Sequence, residues 1–351
     1  MIAVPAYNEE AGLAETLDSL LAQTESDLRV VIVDNCSTDA TGKIAEAYAR
    51  TDARVTYERA ELHLGLVENW RRAFFRAREL HPTAPYFAWA PGHDILEPRW
   101  LEMLAAEMDA HSAVVGAFPS GLGVKPDGSP PSELVPTGDT FGLDRARDRV
   151  RVPLRGMAIQ GLFRPEPLRR AGVKRRVLAP DRLLMAELAA HGQLRHVPER
   201  LWERRMNPKM TKRETRARQR RTIFPPRARA LGHVHWLALH AAALVWSLSV
   251  RGNARPQVSR AEGAAVAAAY VRAELPRYLR NVHTRHRVRL TRLRKARRRL
   301  VRKRVRRLRR RAQKDYRRAR RELRRVRKRT RRGLARMMAA WRQVLLRTRR
   351  P

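Results

Sequence analysis

The sequence predicts an α/β fold: a mostly parallel sheet flanked by helices, followed by a C-terminal helical region with a long basic helix. Two apolar runs, residues 1–6 and 28–33, are separated by leucines at helical spacing. Uncharged runs rich in valine and isoleucine are typical of strands buried on both faces of a parallel sheet. A change from an acidic first half to a very basic second half predicts that the tail is a separate element.

That change in charge is large. The 351 residues carry a net charge of +42, but residues 1–150 hold 14 Lys and Arg against 24 Asp and Glu, whereas the remainder holds 62 against 10. Cys36 is the only cysteine, which excludes an intramolecular disulfide and a cysteine-based zinc site and fits a reducing compartment.

Polar residues follow both apolar runs. The first run passes into Tyr7, Asn8 and Glu9, and the second ends at Asp34. The carboxyl ends of parallel strands form the rim where open α/β sheets bind ligands. There, Asp34 can accept hydrogen bonds from a base imide or from ribose hydroxyls, while Ser37 to Asp39 suit the cap of the next helix. For either segment alone, turn and cap residues without a ligand are an equal alternative.

Together the two segments resemble the family 2 inverting glycosyltransferases with the GT-A fold. Residues 4–9 are similar to the family's V-P-x-Y-N-E and residues 34–41 to its D-x-x-S-x-D-x-T. The resemblance covers residues 1–205 and implies a Rossmann-like sheet, a nucleotide-sugar donor and transfer to an acceptor hydroxyl with inversion. It places the donor against these residues: Pro5, Tyr7, Asn8, Glu9, Asp34, Asn69 and Asp94. Asn69 is included among the donor residues because residues 63–69 resemble a glycine- and asparagine-containing segment that borders the nucleotide in the family.

The metal-binding motif that the family resemblance implies is incomplete in this chain. Family members place D-x-D after the fourth strand, predicted here over 85–90, but this chain has Pro91-Gly92-His93-Asp94. His93 and Asp94 could still hold one divalent cation, Mn²⁺ or Mg²⁺, against the diphosphate. The alternative is a loop histidine beside a helix-capping aspartate.

Three later segments complete the predicted site. Gly161 and Phe163 lie in a strand-like segment, 155–164, that resembles the acceptor side, after a Gly/Pro/Ser-rich stretch, 120–140, that predicts a long loop. Asp181 takes the place of the family's general base, with Pro180 where a glutamate usually stands; a plain acid in the first helical turn is the alternative. Arg204 and Arg205 begin a basic segment that folds over the diphosphate in the family; a solvated linker is the alternative.

The remaining chain predicts two further regions. Residues 206–284 form a basic linker and helical region, in which Trp236 to Val250 predicts a buried or interfacial helix. Residues 285–351 predict an arginine-rich helix whose apolar residues recur three or four apart from Val301 to Leu345, a narrow stripe with a mean step near 3.7 residues. Such a helix is marginal alone in water, so an anionic surface is its expected partner and a partly disordered solvated tail the alternative.

The predicted function is therefore a cytoplasmic glycosyltransferase, peripheral on the inner face of the membrane, that builds cell-envelope polysaccharide, glycolipid or a related glycan. Its expected partners are a nucleotide sugar, a glycan, lipid-linked or small-molecule acceptor, and an anionic membrane. No base-reading motif occurs in the sequence, so no specific nucleic acid is expected. The competing hypothesis is a membrane- or polyanion-binding protein built on a degenerate, inactive GT-A domain.

Overall fold

A computed structural model describes residues 1–135, 140–144, 149–151, 156–205, 223, 236–251 and 258–347, with backbone alone for parts of them, chiefly 280–305 and 340–347. The strands are β1 Ile2–Ala6, β2 Val30–Asp34, β3 Val55–Arg59, β4 Phe87–Trp89, β5 Ile95–Leu96, β6 Val114–Val124, β7 Ser132–Leu134, β8 Thr140–Asp144, β9 Arg149–Arg151, β10 Leu162–Phe163 and β11 Gln193–Arg205. The helices are α1 Leu13–Leu21, α2 Thr41–Thr51, α3 Leu66–Leu80, α4 Trp100–Ala110, α5 Pro165–Arg170, α6 Pro180–Leu188, α7 Trp236–Leu244 and α8 Arg260–Arg347.

These strands form one mixed sheet in the order β3-β2-β1-β4-β10-β6-β11-β8-β9, with β5 on β11 and β7 on β6. The first four strands of this order are parallel, and β10 is antiparallel to both of its neighbours. The order runs outward to β3 on one side of β1 and to β4 on the other, so β1 and β4 flank a topological switch point. The predicted α/β fold is confirmed.

Alternate residues of β1 supply two cores. Ile2, Val4 and Ala6 pack with α1 and α4, whereas Ala3 packs on the opposite face, where α3, α6, α7 and the first turns of α8 lie. Because side chains alternate across a strand, a strand covered by helices on both faces must be apolar at every position. This requirement explains the uninterrupted apolar runs in the sequence.

Two local predictions are wrong. The predicted loop over 120–140 begins as strand, because β6 continues to Val124 and pairs with β11. Gly121 of β6 is required by packing, because a Cβ at this position would lie 2.2 Å from Nε1 of Trp202. The predicted strand around 155–164 is a 3₁₀ helix, Gly156–Gln160, followed by the two-residue strand β10.

Residues 1–278 form one compact unit. Within it, α7 and the π-helical segment Val245–Val250 bury Leu237, His240, Leu244, Ser247 and Leu248. The buried His240 bonds through its two ring nitrogens to Tyr270 Oη and to the carbonyl of Leu178, each at 2.7 Å. Over the described residues, no helix combines the length and apolar character needed to cross a bilayer. Residues 236–250 are thus helical, with one side buried and with Trp246 and Val250 exposed, so the choice between a buried and an interfacial helix stays a prediction.

Residues 279–351 form a second unit. All of its described side chains, those of Leu279 and of 306–339, are exposed. At 100° per residue, nine positions of the predicted stripe fall in an arc of about 80°: Leu308, Ala312, Tyr316, Ala319, Leu323, Val326, Thr330, Leu334 and Met337. The predicted narrow stripe is therefore present there, while the side chains of Val301, Val305, Trp341 and Leu345 lie outside the described residues.

Candidate active site

The candidate site lies at the switch point of the sheet. The chain leaves the carboxyl end of β1 as Tyr7 to Glu10 and that of β4 as Pro91 to Asp94, so the two predicted motifs meet there. Nδ1 of His93 lies 3.0 Å from Oε2 of Glu9. This hydrogen bond raises the pKa of His93, against the effect of burial.

The motifs at residues 4–9 and 34–41, the first two motifs of the chain, are hydrogen-bonded directly to each other. The backbone N–H of Asn8 donates to Ser37 Oγ at 2.9 Å, and Asn8 Oδ1 accepts from the N–H of Thr38 at 2.9 Å. The N–H of Glu9 donates to Thr41 Oγ1 at 2.7 Å. Asn8 adopts φ +57°, a left-handed conformation that asparagine tolerates better than most residues. Their serine, threonine and asparagine residues thus fix one rim of the crevice.

Asp34 organises this rim from below. It is the last residue of β2 and has no exposed surface. Oδ1 accepts from the N–H and the hydroxyl of Ser37 at 2.9 and 2.5 Å, and Oδ2 accepts from Tyr57 Oη at 3.2 Å, with Arg59 Nη1 at 3.9 Å. Burial, followed by the charge of Asp34, raises the pKa of Tyr57 to about 12. The carboxylate of Asp34 is therefore directed towards its own loop in this structure.

Tyr7 and His63 supply aromatic surface at the same rim. Their ring centroids are 4.3 Å apart at an interplanar angle of 43°, and both side chains are at least partly exposed. Asn35 joins the segment of His63 to the second motif, because its Oδ1 accepts from the N–H of Leu64 at 2.7 Å and its carbonyl oxygen lies 3.3 Å from Nδ1 of His63. Sequence reasoning missed Asn35, although its place directly after Asp34 was a usable signal.

Two predicted donor residues lie deeper than the rim. Pro5 is buried within β1, opposite Val33. Asn69 is 3% exposed, and its Nδ2 donates to the carbonyls of Ala6 and Val33 at 3.3 and 3.2 Å. Asn69 thus ties the carboxyl ends of β1 and β2 together.

Asp94 has the features expected of a cation ligand. Its side chain is 2% exposed, and Oδ1 has no hydrogen-bond partner among the described residues. Burial raises the pKa of Asp94 to about 6, although the charges of His93 and Arg204 act in the opposite direction. Nε2 of His93 lies 3.9 Å from Oδ1. An ion bound to Oδ1 would supply the missing partner, so these two residues fit a divalent cation.

The fit is limited to those two side chains. Within the described residues, no group of three or more histidine, cysteine, aspartate or glutamate side chains is arranged to hold a metal. Phosphate oxygens or water would have to complete the coordination of Mg²⁺ or Mn²⁺.

The structure brings the two predicted arginines to the same end of the site. Strand β11 pairs with β5, which places Trp202 opposite Leu96 only two residues after Asp94. Arg204 is exposed and close enough to lower the pKa of Asp94. Arg205 instead forms an ion pair with Glu15 on α1. Arg204 is therefore the more available charge for a diphosphate.

Gly161 and Phe163 have packing roles in this structure. Phe163 has no exposed surface, and its ring centroid lies 6.4 Å from that of Trp89. A Cβ on Gly161 would lie 2.3 Å from the carbonyl oxygen of Ala117. Only glycine fits there without moving β6, so these two residues shape the sheet beside the crevice.

Asp181 lies in the first turn of α6, as predicted, and its side chain is 37% exposed. Nζ of Lys174 lies 2.5 Å from its Oδ1. Sequence reasoning missed Lys174, because a lone lysine after Gly172 and Val173 gives no signal of burial.

Comparison with known proteins agrees with this geometry. Residues 1–160 match the model of "Glycosyl transferase family 2". The uncharacterized glycosyltransferase EpsJ of Bacillus subtilis is 48% identical over 54 residues, 15% of this chain and 16% of that protein. TuaG of the same organism, whose name provisionally assigns it to teichuronic acid biosynthesis, is 31% identical over 77 residues, 22% of this chain and 31% of that protein.

Among solved structures, S. aureus TarS 1–349 in complex with UDP-GlcNAc superposes with a TM-score of 0.56 at 18% identity, covering 78% of this chain and 72% of that one. The chain spans less than a third of the length of the two curated relatives above. Residues 1–160 are a glycosyl transferase family 2 domain, and the sheet that contains them has the GT-A-like fold that the opening motifs predict.

Proposed function

We propose that this protein is a glycosyltransferase that moves a sugar from a nucleotide-sugar donor to an acceptor hydroxyl with inversion. The observation that carries the proposal is the switch-point crevice, where Glu9, His93 and Asp94 meet beside the charge of Arg204. An unpartnered buried carboxylate oxygen beside a histidine and an arginine suits a cation-bound diphosphate. The likeness to TarS, whose structure contains UDP-GlcNAc, supports a nucleotide-sugar donor.

The nucleoside end of the donor is assigned to the rim between the first two motifs. There the rings of Tyr7 and His63 offer a face for stacking a base. Asp34 acts by fixing the turn that contains Asn35 and Ser37, while Asn8, Glu9 and Asn69 hold the strand ends in register. Pro5 supports this rim from within β1.

The diphosphate is assigned to the end of the crevice beneath Arg204. His93 and Asp94 would hold a divalent cation, which when bound neutralises charge on the leaving diphosphate. Arg204, and Arg205 if its pair with Glu15 opens, add positive charge from β11.

The chemistry is one in-line displacement. The acceptor oxygen forms a bond to the anomeric carbon while the bond from that carbon to the diphosphate oxygen breaks, and its electron pair leaves with the nucleoside diphosphate. Asp181 takes the proton of the acceptor hydroxyl. Its place in the first turn of α6 favours the ionised carboxylate that a general base requires. Gly161 and Phe163 shape the acceptor side by their packing under this region.

A panel of UDP-, GDP- and dTDP-sugars tests the proposal. Thermal shift and donor hydrolysis are measured with and without Mn²⁺, using Asp94→Asn as the matched control. We expect at least one nucleotide sugar to raise the melting temperature and to be hydrolysed, with a smaller effect in the control. If no donor binds or reacts under any condition, the proposal fails.

We propose further that the tail holds the enzyme on the anionic inner face of the membrane, near a lipid-linked or envelope-bound acceptor. Over 306–339 the exposed helix combines arginines with the apolar stripe, in which Leu323 and Leu334 are 61% and 50% exposed. Each arginine near an anionic leaflet contributes about 1 kcal/mol. The similarity to TuaG supports polysaccharide synthesis as the process.

Sedimentation with anionic vesicles tests the membrane role. Deleting Arg285 to Pro351 should abolish salt-sensitive binding while donor hydrolysis stays within a few-fold of the intact chain. Equal sedimentation of the truncated and intact proteins would exclude the membrane role. Tight binding of the intact tail to RNA alone would favour the polyanion hypothesis.

The second candidate function is a membrane- or polyanion-binding protein on an inactive domain. The degraded metal motif favours it, since Pro91 and His93 stand where acids are expected. Asp34 and Asp181 in the expected order argue against it. The donor panel decides between the two functions.

A further inference from the structure

Lys174 is a buried lysine beside the proposed base. Its side chain is 4% exposed, and its Nζ lies 3.3 Å from the ring centroid of Trp70 and 5.6 Å from that of Trp89. Burial lowers the pKa of Lys174, whereas the charge of Asp181 and a hydrogen bond to it act in the opposite direction. A buried ammonium is tolerated only where it is paired, and the carboxylate of Asp181 at 2.5 Å is its partner.

The backbone that carries Lys174 is strained and firmly held. Gly172 and Val173 both have positive φ, +81° and +59°. A β-branched residue in this region is a true outlier, and such strain persists only where the surroundings enforce it. Arg71 of α3 supplies one such restraint, because its Nη1 donates to the carbonyls of Gly172 and Lys174 at 2.8 and 3.0 Å.

The second partner of the pair is also held by an unusual backbone. Ala179 at the N-cap of α6 has φ +54°, and Pro180 follows it directly before Asp181. Oδ1 of Asp181 is buried against Lys174, while the side chain as a whole is 37% exposed. The open part of the carboxyl group is therefore the side away from the ammonium, where an acceptor hydroxyl can approach.

We propose that Lys174 is a positioning residue: through the 2.5 Å contact it fixes the orientation and the negative charge of Asp181, and it exchanges no proton itself. This inference rests on the proposed function, because it assigns Lys174 a role in the deprotonation of the acceptor by Asp181. On this inference, the loop between α5 and α6 supports the general base through Lys174. Arg71 of α3 holds the backbone of this lysine, and the indole rings of Trp70 and Trp89 hold its side chain.

A double-mutant cycle tests the inference with the nucleotide sugar that the wild-type protein turns over. Lys174→Met keeps the length of the side chain between the two indoles and removes the charge. We expect it to lower kcat at least tenfold while the donor KM stays within twofold. In the Asp181→Asn background, Lys174→Met should have no further effect, because a residue that acts only through Asp181 adds nothing once that base is removed.

Controls separate this role from folding. Arg176→Met removes an exposed ion pair, that of Arg176 with Glu68 at 2.9 Å, from the same loop, and should leave kcat within twofold. Lys174→Gln keeps a hydrogen-bond donor and is the second variant, with near-ultraviolet circular dichroism reporting the packing of Trp70 and Trp89. A kcat of both Lys174 variants within twofold of wild type, or a further loss in the double mutant, would overturn the inference. An absence of wild-type turnover with every donor would overturn the proposed function and this inference with it.

Discussion

Replacing Asp34 with alanine should reduce the stability of the fold, in addition to weakening nucleotide binding. The carboxylate has no exposed surface and accepts hydrogen bonds from the Ser37 N–H, the Ser37 hydroxyl and Tyr57 Oη. Alanine removes the acceptor for all three donors and leaves the charge of Arg59 without its carboxylate at 3.9 Å. The turn that joins the first two motifs loses its central support.

The expected loss of stability in Asp34→Ala follows from the number of hydrogen-bond donors left unpaired. One hydrogen bond to a charged group contributes about 1.5–3 kcal/mol, and such contributions are not additive within one network. A buried donor that loses its acceptor costs about 1–3 kcal/mol, and Arg59 adds little because its side chain is 51% exposed. We therefore expect Asp34→Ala to lower the free energy of unfolding by about 4 kcal/mol.

Urea unfolding measures this change, and calorimetry with nucleoside diphosphates measures the loss of affinity under conditions where the variant is folded. Asp39→Ala is the matched control from the same motif. Asp39 is only partly buried and accepts from the Thr41 N–H at 3.0 Å, so its loss should cost about 1 kcal/mol, as for a capping residue. If Asp34→Ala destabilises the protein no more than Asp39→Ala does, the argument from burial is wrong. Unchanged affinity for every nucleotide would remove Asp34 from the proposed donor site.

Four further outcomes are expected. Asp181→Asn should lower turnover about a hundredfold with donor affinity unchanged, because a general base acts on the chemical step. Turnover within a factor of two of wild type would contradict the assignment of Asp181 as the general base. Asp94→Asn should lose the rise in melting temperature that Mn²⁺ produces in the wild type, and an equal rise in both proteins would place the ion elsewhere. Gly161→Ala should destabilise the fold by about 1–3 kcal/mol, since its Cβ would lie 2.3 Å from a backbone oxygen; unchanged urea unfolding contradicts that contact. Burial lowers the pKa of His191 from 6.5 to about 4, so the unfolded chain binds the proton first and stability is lost as the pH falls through this range. That loss should reach about 3 kcal/mol and be absent in His191→Gln, and parallel pH–stability curves for the two proteins would refute it.

The opening motifs illustrate how far local sequence can lead. Continuous apolar runs with helical spacing between them predict β1, α1 and β2, because strands covered on both faces need apolar side chains at every position. The same argument fails over 120–140, where glycine and proline predict a loop. There Gly121 is required by Trp202 of β11, a strand some eighty residues later in the chain, and no local pattern reveals that contact.

For the candidate site, the sequence by itself determined which side chains follow β1, β2 and β4, and it identified the family and its degraded metal motif. The tertiary structure alone decided how those side chains are directed. Asp34 is turned inward because Tyr57 of β3 and Ser37 enclose it, and Asp181 is paired because a strained loop places Lys174 beside it. Residue type and chain position are local properties, whereas the burial and the partner of a charge depend on segments that only the folded chain brings together.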